Sequence, residues 1–421
     1  MRLIYTFCFT LLTPFILLRL FWRGFKAPAY RMRWRERLGL YNFQGTQNCL
    51  WFHAVSVGEA EALFPLIKLW QKHHPEQAIL ITTTTPTGSK RVKNVLADSV
   101  EHVYLPYDLP FITKRFLNHF QPKLAAIMEK EIWPNLFSQC ANKGIPLFII
   151  NARLATKSAK NYQKIPLLVL PALNAVNAVF TQTTEDSQNF IDLGIPSEKV
   201  IVLGNMKFDV DITPELIEQG HRLKQNMFKN RFVLIAASTH DGEENILLNI
   251  YQKLKPSIPE LLLLIAPRHP ERFFTVKSLA ETKHLTTVMR SHGTDVTIDT
   301  DIYIADTMGE LKMLYTAADI SFVGGSLIPI GGHNILEPLA VGTPVIFGKY
   351  MVNFKEITHN VLACKAGIQA NTEQEIIIAI QQLHTSHTFR QSLIDNGKQF
   401  MKQNLGVTQR ILTKLENYAH N

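Results

Sequence analysis

The stretch CLWFHAVSVGEAEALFPLIKLWQKHH, residues 49–74, shows the unit from which the fold is built. Residues 49–56 form an apolar run without polar alternation, which predicts a strand buried on both faces. Residues 58–74 follow directly, and their apolar side chains from Leu63 to Trp70 recur on one face of a helix. A buried strand that runs into an amphipathic helix is a βα unit, which favours a parallel sheet.

The same unit recurs along the chain and predicts two sheets. The first sheet is expected to contain strands at 49–56, 78–85, 124–129, 146–152, 177–182 and 199–204. The second sheet is expected to contain strands at 232–238, 261–267, 302–306, 320–325 and 344–348. A polar stretch at 204–216, which includes Gly204 and Pro214, marks the boundary between them.

We therefore predict an α/β protein of two Rossmann-like, doubly wound domains, at 25–208 and 209–421, preceded by a membrane-anchor helix at 1–24. The last helix of the second domain is expected to be able to pack back on the first. The two domains are expected to face each other across a cleft. Ligands of such sheets bind at the carboxyl ends of the strands, so the residues that follow each strand are the candidates for function.

The N-terminal segment is predicted to associate with a membrane. Residues 3–18 carry no charge, but as a helix they reach only about 24 Å, short of the ~30 Å hydrocarbon layer. If Arg19 extends to the headgroups and Trp22 lies at the interface, the helix approaches the ~20 residues that crossing requires. The Arg cluster follows the apolar run, which argues against a cleavable signal peptide. An interfacial helix that never crosses is the alternative.

The net charge of +9 belongs mainly to the N-terminus. Residues 1–37 hold eight of the 44 lysines and arginines but only one of the 35 acidic residues, so the rest of the chain is nearly neutral. A broad basic face for nucleic acid is therefore not expected. The basic residues after the apolar run predict that the chain from residue 23 onward is cytoplasmic and contacts anionic membrane lipids.

Several kinds of site are not supported by the sequence. The four cysteines are far apart and form no C-x-x-C pair, which argues against a disulfide framework or a cysteine zinc site. His333 has no second histidine or carboxylate at metal-ligand spacing, so no metal is predicted. The first strand is not followed by G-x-G-x-x-G, and no P-loop lysine motif is present, which argues against a dinucleotide dehydrogenase or a P-loop ATPase.

Acidic residues follow two predicted strands of the first domain. Glu59 lies in the turn after strand 49–56, where a carboxylate is placed to take a proton from an attacking hydroxyl. An acid at that position also complements the positive end of a helix, and this interpretation explains Glu59 equally well. Glu129 and Glu131 lie at the end of strand 124–129, and the helix-start interpretation fits Glu131 better than Glu129.

The strand ends of the second domain carry groups suited to an anionic ligand. Arg268 follows strand 261–267 and offers two-pronged donors that match a phosphate, although an exposed Arg at a helix start is equally common. The segment 322–348 contains two Gly pairs, and a helix starting near Asn334 aims its N–H groups at a bound anion. Glu337, one turn into that helix, is placed to accept hydrogen bonds from ribose hydroxyls.

Ten short segments, taken in order, resemble one known family. They are HAVSVGE, TTTTPTG, YLPYDLP, IMEKEIWPN, NARL, GNMKFD, STHDGEE, APRHPERF, DTMGEL and GGSLIPIGGHNILEP. Together they resemble the 3-deoxy-D-manno-octulosonic acid (Kdo) transferases of lipopolysaccharide synthesis, from the N-terminal anchor to about residue 370. Each segment alone is weak, whereas ten in the same order are specific.

The resemblance implies a GT-B glycosyltransferase that moves Kdo from CMP-Kdo to the lipid A precursor at the inner face of the cell inner membrane. It implies that Glu59 is the general base and that Glu129 and Lys207 stabilise the transition state. No metal or other cofactor is expected, because helix dipoles and Lys207 or Arg268 offset the phosphate charge. The residues implied for CMP binding are Pro267, Arg268, Met308, Gly309, Glu310, Asn334, Ile335, Leu336 and Glu337.

Two positions depart from the family pattern, and two other functions remain open. Lys130 stands where the family more often has Thr, and Asp241 where it more often has Glu; Lys130 is expected to alter the charge beside Glu129. The first alternative is a UDP-sugar-dependent GT-B enzyme of envelope biosynthesis. The second is a membrane-tethered nucleotide-binding protein, for which Glu59→Ala would leave every activity unchanged.

Overall fold

The computed structural model describes residues 1–419 and divides into two compact units. The first unit comprises Met1–Asp209 together with residues 406–419, and the second comprises Val210–Leu405. The division after Asp209 falls inside the polar stretch 204–216. The second unit ends before residue 421, because the chain returns to the first unit at Gly406.

The first unit contains a sheet of seven parallel strands. Their spatial order is β3-β2-β1-β4-β5-β6-β7, so the chain reverses its direction of winding between β1 and β4. The strands are β1 (Leu50–His53), β2 (Ile79–Thr83), β3 (Glu101–Tyr104), β4 (Leu124–Met128), β5 (Leu147–Ala152), β6 (Ala178–Thr181) and β7 (Val200–Val202).

The second unit contains another sheet of seven parallel strands. Its order is β10-β11-β9-β8-β12-β13-β14, with the reversal between β8 and β12. The prediction of two doubly wound α/β sheets is confirmed. The strands are β8 (Phe232–Thr239), β9 (Leu261–Pro267), β10 (Thr287–Met289), β11 (Ile302–Ile304), β12 (Ile320–Val323), β13 (Val345–Phe347) and β14 (Ile368–Gln369).

Helices connect the strands in both units. In chain order they are α1 (Arg2–Lys26), α2 (Val57–His73), α3 (Pro86–Leu96), α4 (Pro110–Phe120), α5 (Pro134–Asn142), α6 (Thr156–Tyr162), α7 (Pro166–Asn174), α8 (Thr184–Asp192), α9 (Pro214–Leu223), α10 (Glu243–Leu254), α11 (Phe273–Thr282), α12 (Leu311–Thr316), α13 (Leu336–Val341), α14 (Lys355–Ala363), α15 (Glu373–Thr385), α16 (His387–Asn404) and α17 (Val407–Ala419).

Three strands escaped the sequence prediction, and all three lie at sheet edges or are very short. β3 and β10 are the edge strands on one side of their sheets, and β14 is the edge strand on the other side of the second sheet. β3 reads EHVY and β14 has only two residues, so neither shows the apolar run that identified the central strands.

The helix α17 completes the core of the first unit. Its residues Val407, Ile411, Leu412 and Leu415 are fully buried with residues of α2 and the first sheet. Asp209, the last residue before the second unit, accepts hydrogen bonds from the backbone N–H groups of Gly406 (2.7 Å) and Thr408 (2.5 Å). This carboxylate fixes the start of α17 beside the point where the chain left the first unit.

The helix α1 lies along the first unit with one face packed and the other exposed. Among the described residues, Arg2–Phe25 is the one helix long and apolar enough to cross a membrane. Its less exposed positions, which follow a helical repeat, are Tyr5, Thr6, Phe9, Thr13, Ile16, Leu17, Leu20 and Gly24. Its exposed large apolar side chains are Leu3, Ile4, Phe7, Leu11, Leu12, Phe15, Leu18, Phe21, Trp22 and Phe25.

Candidate functional site

The turn after β1 places Glu59 at the winding reversal of the first sheet. Ser56 precedes α2, and its Oγ accepts a hydrogen bond from the N–H of Glu59 at 3.4 Å. The Glu59 carboxylate accepts in return from the N–H of Val55 (2.7 Å) and from Ser56 Oγ (3.2 Å). This is a variant of the capping box in which Glu59 binds the N–H of Val55, one residue before the N-cap Ser56, so Glu59 stabilises the start of α2 as well as facing the strand ends.

The electrostatics of Glu59 suit a proton acceptor. Burial raises the pKa of Glu59 to about 7, and the negative charges of Glu129 and Glu131 act in the same direction. The hydrogen bond from the Val55 N–H opposes this increase in pKa. A carboxyl group whose pKa lies near neutral pH is efficient at taking a proton from a hydroxyl.

Glu129 follows β4, the strand beside β1, and adopts a strained backbone. Its φ of 61° lies in the left-handed region, which costs a non-glycine residue free energy. Its N–H donates to the carbonyl of Ile150 at 3.0 Å, which holds this conformation against β5. Its Oε1 lies 3.9 Å from Nζ of Lys207, and about four-fifths of each side chain is buried.

Lys207 is positioned by a polar network that our sequence interpretation missed. It lies in a short helical turn, Met206–Phe208, whose first N–H donates to Oδ1 of Asn151 at 2.9 Å. Asn151 is fully buried and also has a positive φ, of 50°. Asn205 accepts from the N–H of Lys207 at 3.0 Å. The NARL segment was the available signal, because a polar residue inside a buried strand requires a partner.

Glu131 and Lys130 set the charge around these groups. Burial raises the pKa of Glu131, the charge of Lys130 lowers it, and that of Glu129 raises it. Lys130 is exposed, so it acts through the electrostatic potential at the carboxyl end of β4. The sequence departure at Lys130 therefore partly offsets the repulsion between the neighbouring carboxylates.

In the second unit, a buried carboxylate shapes the glycine-rich segment after β12. Glu243, the first residue of α10, is fully buried. Its carboxylate accepts hydrogen bonds from the backbone N–H groups of Gly325 (2.7 Å), Ser326 (3.0 Å) and Leu327 (3.0 Å). A side chain at Gly324 would approach the Ser238 carbonyl to 2.6 Å, so glycine is required for this close packing.

Pro267 and Arg268 lie where β9 ends, next to β8. The N–H of Arg268 donates to the carbonyl of Thr239 at 3.0 Å, which fixes the backbone at the strand end. The Arg268 side chain is exposed. The backbone of Arg268 is therefore fixed at the carboxyl edge of the sheet, and its exposed guanidinium group is accessible to a ligand.

The segment after β11 exposes backbone groups at Met308 and Gly309, and its acidic residue, Glu310, already forms an ion pair. Met308 and Gly309 are exposed, and Gly309 has a φ of 89°. Arg290 donates to both carboxylate oxygens of Glu310, at 2.6 and 2.8 Å. Hydrogen bonding by Arg290 is the main reason why the pKa of Glu310 is lowered. Because the carboxylate is engaged, a ligand here would meet the backbone rather than the Glu310 side chain.

The start of α13 is partly capped by the protein itself. Oδ1 of Asn334 accepts a hydrogen bond from the N–H of Leu336 at 3.0 Å. Nδ2 of Asn334 lies 3.5 Å from Oε1 of Glu337, and Ile335 is fully buried. Gly332, with a φ of 75°, packs against Met351 so closely that a Cβ would lie 2.3 Å from its sulfur.

Two histidines that the sequence leaves far apart meet at the strand ends of the second unit. Nε2 of His240 lies 2.8 Å from Nε2 of His333, and the two ring planes differ by 2°. Burial lowers the pKa of His333 to about 4, and Arg268, His240 and His269 act in the same direction. His333 therefore lacks a second histidine along the sequence but has one in space.

One group of three potential metal ligands occurs among the described residues. It consists of His73, His74 and Glu416, whose ligand atoms lie within 4.8 Å of one another. Both imidazoles approach the same oxygen of Glu416, at 3.3 and 2.7 Å, as in an ordinary ion pair between α2 and α17. The group follows the end of α2 and does not include any of the predicted site residues.

Comparison with solved structures identifies the fold class. The chain is similar to the UDP-GlcNAc 2-epimerase of Neisseria meningitidis, with a TM-score of 0.56 and 18% identity over 87% of this chain and 99% of that one. At this identity the likeness shows the fold, which is GT-B-like. The structure titled the C-terminal CMP-Kdo binding domain of WaaA from Acinetobacter baumannii matches 45% of this chain and all of that one, at 33% identity and a TM-score of 0.44.

The sequence comparisons identify the family. Residues 32–210 match the family model of 3-deoxy-D-manno-octulosonic-acid transferase (kdotransferase). The 3-deoxy-D-manno-octulosonic acid transferase of Haemophilus influenzae is 39% identical over 99% of this chain and 98% of its own length. That of Bordetella pertussis is 31% identical over 88% of this chain and 87% of its own. The chain belongs to the 3-deoxy-D-manno-octulosonic acid transferase family, which confirms the resemblance.

Proposed function

We propose that the protein transfers Kdo from CMP-Kdo to a lipid A precursor with inversion at the anomeric carbon. Family membership supports the sugar and the reaction class. The observation that carries the proposal is Glu59, a largely buried carboxyl at the winding reversal of the first sheet whose pKa is about 7. Such a group accepts a proton at neutral pH, which is what an attacking hydroxyl requires.

The proposed reaction is a single displacement. Glu59 takes the proton of the acceptor hydroxyl as its oxygen forms a bond to the anomeric carbon. The bond between that carbon and the phosphate oxygen breaks, and CMP leaves with the electron pair. Attack from the face opposite the leaving group inverts the centre. Lys207 beside Glu129 and the accessible Arg268 are assigned to the charges that develop during transfer.

The donor is assigned to the strand ends of the second unit. Arg268 suits the phosphate, because a guanidinium group donates two parallel hydrogen bonds to it. Met308 and Gly309 are assigned to the donor through their backbone groups, and Glu337, next to Asn334 at the start of α13, is assigned to the ribose hydroxyls. The Glu310 side chain is assigned a supporting role through Arg290. We assign no metal or other cofactor to this chemistry.

The lipid acceptor suggests where the protein works. We infer that it is bound to the cell inner membrane through α1, with both units on the cytoplasmic side. The apolar exposed face of α1 and the arginines after it support attachment to a bilayer with anionic lipids. The sugar of a lipid acceptor lies at headgroup level, so attachment keeps the enzyme within reach of it.

Purified full-length protein tests the proposal directly. Mass spectrometry of a reaction with CMP-Kdo and lipid A precursor should show the acceptor plus Kdo, and CMP should raise the melting temperature more than UDP does. Product formation from a UDP-sugar alone, with stabilisation by UDP, would favour the first alternative. Nucleotide binding without product in any combination would favour a nucleotide-binding protein. The α or β linkage of the released product, distinguished by NMR, checks inversion.

A further inference from the structure

We propose that His240 and His333 bind the carboxylate of the donor sugar. This inference rests on the proposed donor, since an octulosonic acid linked to CMP carries a carboxylate as well as a phosphate. Neither histidine is among the residues assigned to CMP. The pair would give the site its preference for an acidic sugar over a neutral one.

The position of the pair is that of a ligand site. His240 comes directly after β8, and His333 lies in the segment that follows β12. These two strands are the neighbours between which the second sheet reverses its winding. Ligands of doubly wound sheets bind outside the carboxyl ends of such a strand pair.

The charged groups that act on the two imidazoles are all basic. Burial lowers the pKa of His333, and three neighbouring groups, Arg268, His240 and His269, lower it further. The His269 ring lies 5.3 Å from that of His240. Among the described residues, no carboxylate contributes to the pKa change of either imidazole. The site therefore favours the arrival of negative charge.

The acids near this cluster are occupied elsewhere. Glu243 accepts from the backbone N–H of His240 at 3.1 Å in addition to the three N–H groups after β12. Glu244 and Asp241 pair with Arg272, at 3.2 and 2.9 Å. With these carboxylates engaged, the two imidazoles, beside Arg268 and His269, are available to an external anion.

The distance between the rings argues for an anion rather than a metal. Two nitrogens bound to one zinc ion at about 2.0–2.1 Å in tetrahedral geometry lie roughly 3.4 Å apart. The observed 2.8 Å is a hydrogen bond, with one Nε2 donating to the other. In the neutral pair, the ring that accepts at Nε2 carries its proton on Nδ1 and can donate it to a carboxylate. The other ring gains an Nδ1–H only when the pair takes up a proton, and the hydrogen bonds to the carboxylate are then charge-assisted.

Calorimetric binding of CMP and of CMP-Kdo to the full chain tests this inference. His333→Gln and His240→Gln should each weaken CMP-Kdo binding by about tenfold or more, the effect of losing one charge-assisted hydrogen bond. CMP binding should stay within about threefold, because CMP lacks the carboxylate. His292→Gln, an exposed histidine of the same unit, is the control and should change neither.

Each other outcome has a defined meaning. Equal weakening of both ligands would assign the pair to the phosphate and overturn the inference, as would no change in either. If the wild-type protein binds neither ligand, the proposed donor is wrong. Saturation-transfer NMR with free Kdo then provides a readout independent of cytidine. A Kdo signal that disappears in both variants supports the carboxylate site, and a signal of wild-type intensity overturns it.

We also infer, from a separate observation, that α1 lies in the plane of the membrane surface rather than crossing it. The packed face of α1 is attached to the first unit from its beginning. Thr6 and Asn135 of α5 exchange hydrogen bonds at 3.0 and 3.1 Å, and Phe9 packs edge-on against Tyr107 at 6.4 Å. At the other end, the Arg31 guanidinium group lies 3.7 Å from the Phe25 ring.

Crossing is incompatible with these contacts. A spanning helix needs about 20 residues free of the protein for a hydrocarbon layer of ~30 Å. Thr13 is a buried side chain near the middle of α1, and only about a dozen residues of the helix follow it. The exposed apolar face and the exposed Arg19, Arg23 and Arg31 instead fit a bilayer surface with anionic headgroups.

Spin labels on α1 distinguish the two orientations. In full-length protein on vesicles of phosphatidylethanolamine and phosphatidylglycerol, labels at Cys8 and at cysteines replacing Leu3, Leu11, Leu18 and Trp22 are compared for depth, with exposed Cys364 replaced by serine. An in-plane helix gives similar depths along the exposed face. A depth that rises to the middle and falls again, with the Leu3 position reached by reagent from the opposite side, would overturn the inference.

Discussion

Nζ of Lys207 lies 3.9 Å from Oε1 of Glu129, whose backbone is held at a φ of 61°. The strain and the ion pair are two parts of one arrangement, because the left-handed backbone turns the residue after β4 toward the turn at Met206–Phe208. Strain of this kind persists only where the surroundings enforce it, and here the N–H bond to Ile150 does so.

Glu129→Gly should separate folding from activity. Glycine adopts a positive φ without a steric penalty, so this variant should be more stable than Glu129→Ala by about 1 kcal/mol in chemical denaturation. Both variants should lose most of their transfer activity, because neither retains the carboxylate beside Lys207. Full activity in either variant would remove Glu129 from the mechanism.

Glu59→Gln should lower turnover without disturbing the fold. Glutamine can still accept the hydrogen bonds at the start of α2, so at about pH 5, where Glu59 is protonated, the melting temperature should change little. The amide cannot take a proton, so kcat should fall by about 10²- to 10⁴-fold, while CMP affinity is retained. Glu61→Gln, an exposed neighbour on the same helix, is the matched control and should keep wild-type kcat.

The activity of the wild-type protein should depend on pH through the raised pKa of Glu59, about 7. The base acts when deprotonated, so kcat/KM should rise with pH to a plateau above about 7. The stability of the fold changes in the opposite direction. Between about pH 4.5, the pKa of an unperturbed glutamate, and about pH 7, the pKa of Glu59 in the folded protein, the folded state keeps a proton that the unfolded state has lost. The contribution of Glu59 to stability therefore decreases as pH rises through this interval. The stability of Glu59→Gln relative to wild type should therefore improve from pH 5 to pH 8.

Glu243→Ala should destabilise the second unit strongly. The change leaves up to four backbone N–H groups without their buried acceptor, which we expect to cost about 3 to 5 kcal/mol in urea denaturation. CMP binding should weaken with it, because the segment after β12 loses its support. Glu271→Ala, an exposed acid in the same unit, should change stability by less than about 0.5 kcal/mol.

Chelation tests the proposal that no metal takes part. Transfer measured after treatment with EDTA and removal of the chelator should retain its rate within about twofold, since Arg268 and Lys207 carry the positive charge assigned to the phosphate. A loss of rate that Mg²⁺ or Mn²⁺ restores would contradict the proposal. The variant His73→Gln should behave as wild type in the same assay.

The central strands were predictable because burial on both faces leaves a continuous apolar run, as in LLLLIAP at β9. Edge strands such as β3 lack one neighbour and tolerate Glu101 and His102, so no such run marks them. The winding reversal between β1 and β4 puts Glu59 and Glu129 at adjacent strand ends, whereas the sequence interpretation predicted only that each of them follows a strand.

What the sequence did not reveal depends on contacts between distant segments. The His240–His333 pair joins residues 93 positions apart, and only the adjacency of β8 and β12 brings them together. The network of Asn151 around Lys207 likewise crosses from one strand to a later turn. Periodicity and local spacing carry no information about such pairs. The roles of the site residues remain predictions for the experiments above.

The return of α17 to the first unit has a consequence for biosynthesis. A nascent chain emerging from the ribosome has all seven strands of its first sheet long before Val407, Ile411 and Leu415 are translated. Until α17 is synthesised, the apolar surface of α2 and the first sheet that it covers stays exposed. The second unit ends at Leu405, so its chain is complete before α17 begins. We therefore expect the later-synthesised unit to reach its native state first, and premature termination before residue 407 to yield a chain that chaperones retain.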